Sequence, residues 1–109
     1  MLSLYGQYIN ERESFEIIEN NCGFASYKII NNECYLRDIF VSKDYRKMHV
    51  ARKLADEISF IAKEKGCIRM YGTVVPSAPG STLSIKLLLE YGLSLHQSSN
   101  DFIVLAKDL

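Results

Sequence analysis

The chain has 109 residues, 48% hydrophobic and 24% charged, and its 13 Lys and Arg balance 13 Asp and Glu to a formal net charge of zero. That is the length of one domain with apolar material for one core, and residues 1–109 are read as a single unit. A neutral chain has no overall field that draws polyanions, so any basic site is local, and no run of about 18 apolar residues exists to span a membrane.

Met1 to Asn10 interleaves polar residues with Leu2, Leu4, Tyr5 and Tyr8, which is not the pattern of a secretory leader. Residues 2–9 alternate weakly, and a charged turn, Asn10 to Glu13, follows. Phe15 to Glu19 is a short strand and Asn20-Asn21 a turn. Gly23 to Ile30 is aromatic and β-branched, Asn31-Asn32 is a hairpin signal, and Cys34 to Val41 is the returning strand. The period then changes. From Met48 to Lys65 the apolar residues Val50, Ala51, Leu54, Ala55, Ile58, Ile61 and Ala62 form one helical stripe, closed by Gly66. Cys67 to Val75 is a strand and Pro76 to Gly80 a loop. Ser81 to Tyr91 is a second helix stopped by Gly92. A weak strand near Leu93 to Gln97 and a last strand, Phe102 to Ala106, complete the chain.

This order predicts an α/β (α+β) fold, with the strand-helix-strand unit from Cys34 to Val75 forming a parallel crossover. Cys22, Cys34 and Cys67 are odd in number and widely spaced, with no metal-ligand spacing. They read as reduced thiols of a cytoplasmic protein, and no metal site is expected.

The entry to the first of these helices has inverted charge. Helix N-termini attract acids, yet Lys43, Arg46, Lys47, Arg52 and Lys53 crowd this one, with His49 among them and Asp44 the only acid. An anion bound there would turn that repulsion into attraction. Charge placement alone leaves this open against a solvated basic turn. A nucleic-acid patch fits less well, because Tyr45 is the only aromatic in the cluster.

The stretch from Asp38 to Ile58, DIFVSKDYRKMHVARKLADEI, resembles the cofactor motif of the GNAT superfamily of N-acetyltransferases. There a strand end leads through a short turn to [Q/R]-x-x-G-x-[G/A] at a helix start, matched here by Arg46, His49 and Ala51. Tyr91-Gly92-Leu93 is similar to the family's closing "LGF". The resemblance implies a mixed, mostly antiparallel sheet with a central parallel cofactor unit, two main helices, and N-terminal helices largely absent. It implies acetyl coenzyme A as cofactor. The backbone of Ile39, Phe40 and Val41 would run beside the pantetheine. The loop and helix start, Arg46, Lys47, Met48, His49, Val50, Ala51 and Arg52, would hold the pyrophosphate.

Asp38, at a position the resemblance implies is often acidic, is the candidate general base, with a salt-bridge or edge position as the alternative. It is expected on the face of Leu36 and Phe40 and opposite Arg37 and Ile39, in apolar surroundings that would raise its pKa. The family's frequent tyrosine acid is Leu88 here and its asparagine is Ser81. Tyr91 or Tyr71 could substitute as the acid, though neither matches the motif and packing is the alternative for Tyr91 beside Gly92. His49 replaces the first motif glycine. A negative φ there would preserve the site and a positive φ would strain it. With so short an N-terminal segment the acceptor side should be open. The implied reaction is direct acetylation of a primary amine, best suited to a protein or other large acceptor. The alternative is a GNAT-like module that binds a protein partner without catalysis. The last strand, read as exposed, would allow pairing in a homodimer.

Overall fold

The computed structural model describes residues 2–46 and 49–109. Ser3 opens the first helix: its hydroxyl accepts the Gly6 N–H at 3.0 Å, and α1 runs Leu4–Glu13. The weak alternation expected over residues 2–9 is therefore helical. Its apolar residues are spread around the axis, with Leu4 83% exposed while Ile9 is buried, so no single stripe marks the helix in the sequence. One N-terminal helix is thus present.

Strand β1 (Glu16–Glu19) leads into β2 (Gly23–Ile30) and β3 (Glu33–Val41). Asn31 and Asn32 link β2 to β3 with φ of 49° and 67°, the left-handed pair that a two-residue hairpin prefers and that asparagine tolerates. After a single 3-10 turn at Lys43–Tyr45 comes α2 (Val50–Glu64). It buries Leu54, Ala55, Ile58 and Ala62, the stripe read from the sequence, and packs on β2 and β3. Gly66, at φ 84°, ends it by letting the Cys67 N–H reach back to Ala62 O at 2.9 Å. Then follow β4 (Arg69–Val74), α3 (Ser81–Glu90), β5 (Ser94–Ser99) and β6 (Phe102–Asp108).

The six strands lie in the order β1-β2-β3-β4-β6-β5, antiparallel throughout except for the parallel β3–β4 pair. The last strand is not exposed. β6 sits between β4 and β5, because the connection through α3 delivers β5 to the edge. Leu36, Leu54, Ile58, Met70, Leu88 and Leu105 form the core between the sheet and the pair α2 and α3. Full burial of each large side chain contributes about 1.5–3 kcal/mol. α1 covers part of the other face, where Gly6 packs on Ile17 closely enough that a Cβ would lie 3.0 Å from its methyl. No helix among the described residues is long and apolar enough to cross a membrane.

Candidate cofactor and acceptor site

β3 and β4 pair only over Glu33–Tyr35 and Arg69–Tyr71, and beyond that point they part. β3 bends there. Ser26 pairs with Asp38 but Tyr27 with Leu36, so Arg37 is the extra residue of a bulge. From the bulge to Val41, β3 has β2 on one side and no strand on the other.

The phase of the ladder decides which backbone groups face this gap. The Ser42 N–H donates to Cys22 O at 2.7 Å, and Phe40–Phe24 and Asp38–Ser26 fall in the same phase. Ile39 and Val41 therefore turn their N–H and C=O away from β2, into the wedge between β3 and β4. Gly23 makes this tight approach of β2 possible: a Cβ there would lie 2.1 Å from the Phe40 carbonyl oxygen. Arg46 folds back over the strand end, its Nε donating to Val41 O at 3.1 Å and its guanidinium 5.9 Å from the Phe40 ring.

The N-terminus of α2 follows this turn. His49 is the N-cap residue, with φ 60° and ψ 22°, and it makes no side-chain cap bond. Its φ is thus positive, the strained outcome for a non-glycine residue. The first helical bond runs from the Lys53 N–H to His49 O at 3.0 Å, so the N–H groups of Val50, Ala51 and Arg52 lead the helix ahead of it. No acid stands in the first turn, and Arg52 and Lys53 are exposed. Lys47 and Met48 lie outside the described residues. The donor set fits a phosphate-bearing, strand-like ligand: backbone of Ile39 and Val41 turned away from β2, the leading amides of a helix, and cations beside them.

Asp38 does not share a face with Leu36. The bulge turns Asp38 to the side of Ser26, Phe24 and Phe40, while Ile39 joins Leu36 against α2. Nor are its surroundings the apolar ones expected. Its side chain is 45% exposed, and Oδ2 accepts from Ser26 Oγ at 2.9 Å and from Arg37 Nε at 3.0 Å. Tyr35 and Tyr71 stack with centroids 5.1 Å apart at the point where the strands diverge, and the Tyr35 hydroxyl meets Thr73 Oγ1 at 2.9 Å.

Tyr91 caps the end of α3 and lies against α2. Its hydroxyl donates to Asp56 Oδ1 and meets Ser59 Oγ, each at 2.8 Å. Burial raises its pKa; the Ser59 bond opposes this and Asp56 adds to it. Lys107 Nζ stands 4.4 Å from the ring centroid. Tyr91 and Asp38 are thus on opposite faces of the sheet, and the structure does not bring them together. Leu88 is buried against Gly72, where a Cβ would lie 3.1 Å from a leucine methyl, so the α2 side of the wedge is closed by apolar packing.

The sequence singles out Asp38, the β3 end and the α2 start as candidates. It does not single out Ser26, Arg37, Tyr35 or Thr73, whose contacts depend on the bulge and on cross-strand neighbours with no signal in their own spacing.

A mixed sheet parted by a wedge, with a helix N-terminus beyond its mouth, defines a fold made to hold such a ligand. The family model described as "Acetyltransferase (GNAT) family" matches residues 5–87, and the chain belongs to that family. GNAT acetyltransferases use acetyl coenzyme A. Among solved structures, the chain is similar to PaiA N-acetyltransferase from Thermoplasma acidophilum in complex with coenzyme A. Identity is 17% and the TM-score 0.76, over 97% of this chain and 69% of that one. The ribosomal-protein-S18-alanine N-acetyltransferase from Escherichia coli is 19% identical with a TM-score of 0.69, over 98% and 77%. An acetyltransferase from Bacillus cereus is 17% identical with a TM-score of 0.65, over 100% and 94%. No curated protein matched the sequence.

Proposed function

We propose that the chain is an acetyl-CoA-dependent N-acetyltransferase acting on a primary amine of a protein or other large acceptor. The observation that carries this reading is the β3 edge at Ile39 and Val41, which no strand covers and which leads to the first amides of α2. Ile39 and Val41 would receive the pantetheine as a neighbouring strand would be received; Phe40, expected to join them, turns its N–H and C=O to β2 instead. The segment from Arg46 through Lys47, Met48, His49, Val50, Ala51 and Arg52 takes the pyrophosphate. Bound there, the cofactor supplies an acetyl group as a thioester open to attack by an amine. The Val41 N–H is the donor for the acyl oxygen.

The acceptor comes from the face of Asp38 and Phe40, since Leu88, α2 and α3 close the other. On that face Asp38 takes the amine proton through Oδ1, as Ser26 Oγ and Arg37 Nε both donate to Oδ2. The half-exposed rings of Phe40 and Tyr5 flank the approach, and this exposed face among the described residues suits a large acceptor better than a small one. Tyr91 is committed to Asp56 and Ser59, and in this reading it fixes α3 on α2 and does not serve as the acid.

His49 and Leu88 favour a second reading, a binding module of the same family without catalysis. Calorimetric titration with acetyl-CoA, followed by an assay of acetyl transfer to poly-L-lysine, separates the two. The first reading expects saturable binding and transfer. Absence of binding at millimolar ligand defeats it, and binding without transfer or slow hydrolysis supports the second.

A further inference from the structure

We propose that Glu13 and Arg37 are positioning residues that set the Asp38 carboxylate for its task. This rests on the reading of Asp38 as the proton acceptor. In a regular strand Arg37 and Asp38 would point to opposite faces. The bulge removes that alternation, and the Arg37 Nε reaches Asp38 Oδ2 at 3.0 Å on the acceptor face. Ser26 Oγ donates to the same oxygen at 2.9 Å. Two donors on Oδ2 fix the plane of the carboxylate and direct Oδ1 outward. There the N–H bond of an acceptor ammonium breaks, the proton goes to Oδ1, and the electron pair stays on nitrogen for attack.

Arg37 is itself held. Its Nη1 stands 2.6 Å from Glu13 Oε1 in the last turn of α1, and its guanidinium lies 3.9 Å from the Phe15 ring centroid. Ser14, left-handed at φ 59°, ends α1 between these two contacts. Burial alone would lower the Arg37 pKa, but the bonds and charges of Glu13 and Asp38 outweigh it and hold the pKa up. Partly exposed ion pairs contribute little to stability, so stability alone is a weak reason for this chain of contacts. Its consequence is geometric: the N-terminal helix is tied through one guanidinium to the side chain that meets the acceptor.

The test uses the full chain. Scalar couplings about the Asp38 χ1 bond are measured by NMR in the wild type and in R37M, E13A and E13Q. In parallel, kcat and the KM for acetyl-CoA are measured with poly-L-lysine as acceptor. One Asp38 rotamer is expected in the wild type, and rotamer averaging in R37M and E13A. E13Q should recover the single rotamer, since its amide oxygen still accepts from Nη1. Where transfer is measured, kcat should fall about tenfold in R37M with KM within about twofold. E13A changes a more exposed residue and serves if R37M fails to fold. A single rotamer persisting in the folded variants overturns the proposal. Wild-type transfer by D38N instead overturns the base reading and leaves the rotamer result standing.

Discussion

His49 stands where a left-handed backbone is required and glycine is the cheapest residue. A non-glycine residue there costs roughly 1–2 kcal/mol, of which glycine's extra unfolded-state entropy returns about half. His49→Gly should therefore stabilise the protein by about 0.5–1 kcal/mol, read as a higher urea midpoint at unchanged m-value. A lower midpoint would mean that the imidazole makes a stabilising contact. Cys34 makes a second prediction at this scale. Burial, with the nearby Cys67 adding, pushes its thiol up to about 12. The unfolded thiol ionises near 9, so between pH 9 and 12 the unfolded chain binds fewer protons than the folded one. Stability should fall as pH rises through that window, by at most about 1.4 kcal/mol per unit from this group. Tyr27, Tyr71 and Tyr91, all raised mainly by burial, add to the fall at higher pH. Urea midpoints from pH 8 to 11 should decline less steeply in Cys34→Ala, and an equal slope would remove Cys34 as a cause.

At the scale of elements, the turn from β3 to α2 makes the charge inversion intelligible. Arg46 lies on the strand end and Arg52 in the first helical turn. Arg46→Glu should weaken acetyl-CoA affinity at least tenfold, about 1.4 kcal/mol, by calorimetry. Unchanged affinity would place the phosphates elsewhere. Much of this level was legible in the sequence. The α2 stripe, the asparagine hairpin and the strand ends stand out because each follows a local period or turn rule. The bulge does not. Its extra residue is defined by the partner strand, and it reverses the face on which Asp38 lies. α1 was hidden for the opposite reason, since Leu4, Tyr5 and Tyr8 stay exposed and blur its period. The candidate site was legible as a segment through its motif; the polar contacts beside it were not, because Tyr35 and Thr73 meet across 38 residues of chain.

At the scale of the whole molecule, sheet order determines what is open. β1 and β5 form the edges and all six residues of β5 are exposed, so an edge-to-edge dimer would use β5 or β1 and not β6. The two faces of the sheet have different covers. α2 and α3 close one side of the wedge, and the other carries Asp38, Phe24 and Phe40 beside a single helix. The central claim is that the wedge and the start of α2 together form one cofactor site. Amide-resolved NMR during an acetyl-CoA titration tests it most directly. Saturable shifts are expected at the Ile39, Val41, Val50, Ala51 and Arg52 amides, with one common dissociation constant. Shifts confined to other surfaces, such as the hollow lined by Tyr91 and Lys107, would contradict it.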